Sequence, residues 1–358
     1  MKRFYLSLAL LALVPLSGMN TMITAQTNNT VSAGALAPPV ARKVAKKTDI
    51  HGETIVDEYF WLREKTSPEV ISHLEAENAY TDAFMKPTEA LQGKLYQELL
   101  GRIKQTDTQV PYRENGYLYY SRTEEGKQYP ILARRKGSMD APEEVTLDVN
   151  KLNEGHKYTA VAAYSVSDDG NLLAYSVDHN GYREYFLHIK DLRTGQTLAD
   201  DLGKVVSVFW APNDNKTLFY VTEDHAKRPH KVWRHTLGDA KDKDVLVYEE
   251  KDELFRAFAG RSRSRGVIVF GSSSSDTTEY SFVPGDKPTE KPRVIIPRKK
   301  EHEYTVEHHG DKFLILTNDT GRNFRLVSAP VSDPRRENWK EIIPHRADVM
   351  LEDIDAFK

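Results

Sequence analysis

From residue 110 onward, apolar residues come in short runs separated by turn-forming clusters, and the runs recur. GYLYYS at 116 to 121, NLLAYS at 171 to 176, KTLFYV at 216 to 221, GVIVFG at 266 to 271 and KFLILT at 312 to 317 are rich in β-branched and aromatic residues. They lie roughly 45 to 55 residues apart, the period of a four-stranded propeller blade. The stretch from 164 to 198 shows the order inside one unit: a strand, the turn DDGN, a second strand to Val177, a third reading YFLHIKDL, and TGQT leading into a fourth. VSVFWAPNDNKTLFYVTED and HKVWRHTL repeat that order. Residues 110 to 358 therefore predict an all-β fold of about five blades. VMLEDIDAFK at 349 to 358 predicts a strand, an acidic turn and the start of a second strand, so a sixth blade opens there. A blade that stops after one strand leaves an open edge, which makes the chain the expected front part of a longer polypeptide.

Before residue 110 the pattern is helical. In TSPEVISHLEAENAYTDAFMK, Ser67 is placed to cap a helix, Pro68 to be its first residue and Glu69 to favour its first turn. In TEALQGKLYQELLGR, Leu91, Leu95 and Leu99 recur every four residues, and Gly101 is placed to close the helix in a left-handed cap. Helices are expected at 68 to 86 and 88 to 100, each with an apolar stripe that needs a partner. Arg42, Lys43, Lys46 and Lys47 precede them as a basic cluster without an apolar face, which predicts a solvated start to the folded part. QTNNTVSAGALAPPVA at 26 to 41 has no periodicity and predicts a disordered leader. At the very start, Lys2 and Arg3 precede an apolar run from Phe4 to Leu16 and then small and polar residues up to Ala25, the layout of a secretory signal peptide cut near Ala25. The expected divisions are thus 1–25, 26–41, 42–109 and 110–358, in a periplasmic or secreted protein.

Composition narrows the chemistry. The chain has 358 residues, 50 basic and 53 acidic, with a net charge of −3 and no cysteine. No global field draws it to nucleic acid or anionic lipid, and disulfides, thiolate metal sites and a cysteine nucleophile are excluded. No GxSxG nucleophile elbow occurs; GSSSSD at 271 to 276 is the nearest imitation, with serines that follow a strand and lead into a turn. His302, His308 and His309 lie close together in EHEYTVEHHG, but a strand would point His308 and His309 to opposite faces, so they are expected to be structural. RSRSRG at 261 to 266 has no interleaved aromatics and is expected to be a solvated loop. Asp168 with Asp169, and Glu352 with Asp353, sit where acidic residues stabilise turns, while Trp210, Trp233 and Trp339 are explained by core packing. No catalytic, cofactor-binding or metal-binding residue is expected in this chain, and neither nucleic acid nor a membrane, beyond the signal peptide, is an expected partner.

Several ordered segments carry a resemblance. DEYFWLREKTSPEV, HLEAENAYTDAFM, GRIKQTDTQVPYRENGYLYYSRTEEGKQYPI, VWRHTLG, VYEEKDELF and PRKKEHEYTVEHHGDKFLILTN resemble, in this order, the N-terminal half of oligopeptidase B within the prolyl oligopeptidase family of serine peptidases. The resemblance runs from about Arg42 to the last residue. It implies a seven-bladed propeller, here incomplete, capping an α/β-hydrolase domain to which the helical extension 42–109 belongs physically. It also implies short peptides as substrates, cleavage after lysine or arginine, and a serine, aspartate and histidine that all lie beyond the propeller. Gln128 stands where the family often has glutamate, which removes a charge at that point. The resemblance makes the chain the propeller part of an exported serine oligopeptidase, inactive alone; the alternative is a non-catalytic exported propeller that binds peptides or a protein partner.

Overall fold

The computed structural model describes residues 36–357, so the signal-peptide reading and most of the leader lie outside the described residues. The chain divides into two compact units with the break between Ile103 and Lys104.

The first unit opens with a hairpin that the sequence pattern did not suggest. Strands β1 (Lys46–Ile50) and β2 (Glu53–Asp57) pair in antiparallel register around His51 and Gly52, both with positive φ, as a tight two-residue turn demands. The basic cluster is anchored locally: Arg42 forms two hydrogen bonds with the Glu69 carboxylate (2.7 and 2.8 Å), and Lys43 pairs with Glu58 at 2.5 Å. Lys46 lies 3.3 Å from the centre of the Phe60 ring. Helix α1 (Pro68–Met85) starts at proline as expected, although the Ser67 side chain makes no cap bond. Helix α2 (Glu89–Gly101) ends differently from expectation. Gly101 stays in the helix, Arg102 follows in right-handed geometry, and its N–H bonds the Leu99 carbonyl at 3.1 Å, so no left-handed cap is needed. Leu91, Leu95 and Leu99 are all exposed.

The second unit is a run of five antiparallel blades. The first contains β3 (Tyr112–Glu114), β4 (Tyr117–Arg122), β5 (Ile131–Lys136) and β6 (Glu143–Asp148), followed by the short helix α3 (Val149–Leu152), whose N-terminus is capped by Asp148. The second contains β7 (Ala160–Val166), β8 (Leu172–Asp178) and β9 (Phe186–Asp191). The third has β10 (Ser207–Trp210), β11 (Thr217–Glu223), β12 (Pro229–Thr236) and β13 (Val245–Glu249). The fourth has β14 (Arg256–Arg261), β15 (Val267–Ser273), β16 (Thr278–Pro284) and β17 (Arg293–Ile296). The fifth has β18 (Tyr304–His309), β19 (Lys312–Thr317), β20 (Arg325–Pro330) and β21 (Lys340–Ile343). In every sheet the strands lie in sequence order. All five recurring apolar runs fall on the second strand of a blade, which has neighbours on both edges; β8 is buried at every position.

Two expectations need correction. The fourth strand expected after TGQT is reduced to isolated bridges, Thr197 to Lys190 and Lys204 to Phe186. Between them Asp200 turns inward to accept hydrogen bonds from the Gly238 N–H (2.6 Å) and His235 (3.1 Å), which breaks the ladder. Residues 349 to 357 form no strand, because among the described residues they find no ladder partner; Leu351 N–H bonds the Asn323 carbonyl at 3.0 Å instead.

The core lies between blades. Trp210, Leu218, Tyr220 and Ile189 fill the space between the second and third blades; Phe209, Phe219, Val232, Ile268 and Phe270 fill that between the third and fourth. Phe282, Phe313, Ile315 and Val327 do the same between the fourth and fifth. Each side chain thus removes apolar surface from two sheets at once, which is how separate blades hold together without disulfides.

Candidate functional site: the hairpin rim of the propeller

Within each blade the first strand lies innermost and the last outermost. The outer strand β21 is exposed along its whole length, whereas the ends of β3, β7 and β14 come within ion-pair distance of one another despite their separation in sequence. The turns joining first to second strands therefore gather at one rim. Their tips are turn formers in left-handed geometry: Asn115 and Gly116 in the first blade, Gly170 in the second, Asn213 and Asn215 in the third, and Gly310 in the fifth. In the fourth blade that place is taken by Arg265 at φ 61, where a side chain bearing a Cβ costs about 1–2 kcal/mol.

Arg265 is held by charge. Its guanidinium lies 3.3 Å from Glu114 and 3.4 Å from Asp168, and that of Arg261 lies 3.1 Å and 2.8 Å from the same two carboxylates. The fourth blade is thus tied across the rim to the first and second. Asp168 is 6% exposed and has its other oxygen engaged by the Asn213 N–H at 2.8 Å, which adds the third blade. Arg134 donates to the Gly170 carbonyl at 2.6 Å, and Asn215 accepts from the Asp169 N–H at 3.1 Å. On the other side, Ser264 bonds His308 Nδ1 at 2.6 Å, and the His308 ring fills the space where a Cβ on Gly266 would stand.

The expectation for RSRSRG is corrected here. Arg263 is exposed as a solvated loop would be, but Arg261 and Arg265 are mostly covered, because acidic partners 93 to 151 residues away in sequence reach them. Asp169 stabilises its turn as expected, accepting from Ser167 (2.5 Å) and the Asn171 N–H (3.0 Å), while Asp168 belongs to the rim. Sequence reasoning missed Glu114, Asp168, Arg261 and Arg265 as a group. The signal that finds them is positional: all four lie at or beside the first-to-second-strand turn, in three different repeats.

A second polar cluster sits at the opposite end of β14. Arg298 joins the Glu250 carboxylate and Ser272 Oγ (2.6 Å) and stacks 3.7 Å from the centre of the Phe255 ring, so that the third and fourth blades are pinned there as well. Burial pushes the Glu250 carboxyl up, but hydrogen bonds from Arg298, Ser272 and the Asp252 amide hold it below its ordinary value. Ser272 and Ser273 lie within β15 rather than after it, and Ser272 is fully buried, so GSSSSD has a packing role. A cavity of about 480 Å³ opens beside Phe255, Asp276 and Arg298. The histidines separate as expected: His308 is buried and His309 exposed, while His302 bonds Thr317 Oγ1 at 2.9 Å. Trp210 is fully buried, and Trp233 and Trp339 pack against core clusters.

Comparison with known proteins agrees with this architecture. Residues 38–358 match the family model for the prolyl oligopeptidase N-terminal beta-propeller domain. The chain is 40% identical over 95% of its length to dipeptidyl aminopeptidase BI of Pseudoxanthomonas mexicana, covering 49% of that protein. It is 35% identical over 82% of its length to protease 2 of Moraxella lacunata, covering 44% of it. Among solved structures, oligopeptidase B from Leishmania major superposes with a TM-score of 0.82 at 32% identity, over 89% of this chain and 48% of that one. The chain spans about half the length of the curated relatives it matches.

Proposed function

Since the chain belongs to the prolyl oligopeptidase family and carries its N-terminal propeller, we propose that it is the gating part of an exported serine oligopeptidase of the oligopeptidase B type. In this reading the propeller admits short peptides to a Ser-His-Asp triad carried by an α/β-hydrolase domain outside this chain, with cleavage after lysine or arginine. The observation that carries it is the set of inner strands arranged about one axis with a charged rim that joins four of the five blades. Such a rim limits what passes along the axis by size and charge. The exposed leucines of α2, with Phe84 and Leu74 of α1, supply apolar surface suited to cover by a hydrolase domain. The N-terminal pattern directs the protein to the periplasm, with the first 25 residues removed.

The test is complementation. The chain alone should leave an arginyl amide substrate intact, and turnover should appear when a hydrolase-domain fragment of a family member is added. Peptide binding by the chain, with no turnover under any complementation, would instead favour the second reading, a non-catalytic peptide-binding propeller.

A further inference from the structure

The turn between β14 and β15 carries a serine and histidine contact that the rim ion pairs do not use. Ser264 Oγ lies 2.6 Å from His308 Nδ1, the separation of a nucleophile from its base. The ring is fixed in place. A Cβ on Gly266 would stand 2.3 Å from His308 Cε1, so glycine lets the imidazole lie against the turn, and Phe313 of β19 packs edge-on with ring centres 5.9 Å apart. His308 is 9% exposed. Burial, and then the neighbouring His309, lowers its imidazole below the ordinary value of 6.5, so at pH 7 the ring is neutral and able to accept a proton. The charged groups of the facing turn are already engaged, Arg263 with Asp355 and Arg265 with Glu114 and Asp168.

The turn itself supplies further parts. It is closed by the Arg265 N–H to the Ser262 carbonyl at 2.9 Å, and among the described residues the N–H groups of its two central residues, Arg263 and Ser264, have no hydrogen-bond partner. The residue after the serine, Arg265, is held at φ 61, a strained geometry of the kind that collects at reactive sites. Ser262 Oγ, 2.9 Å from Ser264 Oγ, donates to the Val267 carbonyl at 3.2 Å. Ser264 and His308 line one cavity of about 460 Å³, whose other walls include Gly310, Ala356 and Phe357.

We propose that Ser264 and His308 form a nucleophile and base pair that takes the acyl group from small activated esters. The inference is independent of the peptidase reading. Ser264 Oγ adds to the ester carbonyl carbon as its proton passes to His308 Nδ1, and the free N–H groups of the turn are the donors for the oxyanion. Collapse breaks the bond to the leaving oxygen, which takes the proton from His308. Water, deprotonated by His308, then adds to the acyl carbon and releases the carboxylic acid with Ser264 restored. Among the described residues no carboxylate hydrogen-bonds His308 Nε2, so the imidazolium gains no partner when it forms. That restricts the pair to esters with good leaving groups and leaves amides untouched.

The experiment is to treat the full chain with p-nitrophenyl acetate, follow nitrophenolate release, and locate the acetyl group by peptide mass mapping. The acetyl group should lie on Ser264, and both Ser264→Ala and His308→Asn should release nitrophenolate at least about ten-fold more slowly. For the natural chain the rate should rise with pH to a plateau, with its midpoint below 6.5. Acetyl groups on lysines alone, or unchanged release in Ser264→Ala, would overturn the site. Loss in Ser264→Ala with full release in His308→Asn would overturn the role of the histidine. Should His308→Asn fail to fold, the pH profile decides: a rate still climbing from neutral into alkaline pH, as free hydroxide gives, would overturn the pair. The assay uses an ester and the chain alone, so either result leaves the complementation test with an arginyl amide standing on its own.

Discussion

Replacing His235 with alanine removes the group that sits between two buried carboxylates. His235 is fully buried; its Nδ1 lies 2.6 Å from Asp244 and its Nε2 3.1 Å from Asp200, whose side chains are 3% and 6% exposed. The ring therefore bridges two carboxylates that are themselves almost fully covered. It ties the connection after the second blade to β12 and to the residue preceding β13. Tyr220 donates to the other Asp244 oxygen at 2.5 Å, and Gly238 N–H to Asp200 at 2.6 Å, so each carboxylate keeps one neutral donor when the ring is gone. Taking the partner away from a buried carboxylate costs about 3–5 kcal/mol, because the remaining charge is desolvated and unpaired. The residual donors place His235→Ala toward the lower end, about 3 kcal/mol, while Tyr220→Phe, which removes one hydrogen bond to a charged acceptor, should cost about 1.5–3 kcal/mol. Urea unfolding followed by tryptophan emission reads this blade directly, since Trp210 packs in the same cluster as Tyr220 and Trp233 packs against it. A loss below about 1 kcal/mol in His235→Ala would refute the reasoning, because it would mean that water or a rearranged side chain already satisfies both carboxylates.

Three further outcomes follow from single sites. Gly271→Ala should destabilise by about 1–3 kcal/mol in the same urea assay, because a Cβ there would stand 2.3 Å from the Glu279 carbonyl oxygen and 2.6 Å from the Phe258 ring in the middle of a sheet. Glu250 stabilises the fold as a carboxylate held below its ordinary value of 4.5, so its contribution is fully present above that pH and lost as pH falls through the folded value; the stability gap between the natural chain and Glu250→Gln, measured from pH 7 to pH 3, should shrink with acid. Glu307 is the opposite case. Burial pushes its carboxyl up, Arg263 pulls it partly back, and Asp355 and Asp353 push it further up, while one of its oxygens is buried without a hydrogen bond. Glu307→Gln should therefore raise stability at pH 7, with the gain vanishing below pH 4.5, and a loss at pH 7 would contradict the burial argument.

The blades were legible because their signal is local and repeated. Each second strand is paired on both edges, and β8, β11 and β15 are buried at most positions on both faces, so the apolar runs GYLYYS, NLLAYS, KTLFYV, GVIVFG and KFLILT announced themselves. The hairpin at 46 to 57 was not legible, since all ten of its strand residues are exposed and nothing forces alternation of polar and apolar positions. The missing fourth strand of the second blade turns on Asp200, whose partners His235 and Gly238 lie more than thirty residues away. The rim failed for the same reason: Arg261 reads as a surface charge until Glu114, 147 residues earlier, is brought beside it. Local pattern reports which face of an element is buried; it carries no information about which distant charge will meet it. The absence of a nucleophile elbow, by contrast, needed no structure, because that motif is itself local.

The central claim is that this propeller works as part of a larger exported peptidase. The most direct measurement is an immunoblot of periplasmic extract with an antibody raised against residues 160 to 200. The relatives matched here are about twice as long, so the account predicts a periplasmic band at roughly twice the 40.8 kDa of this chain. A band near 40.8 kDa less the leader, or a signal confined to the cytoplasmic fraction, would contradict it.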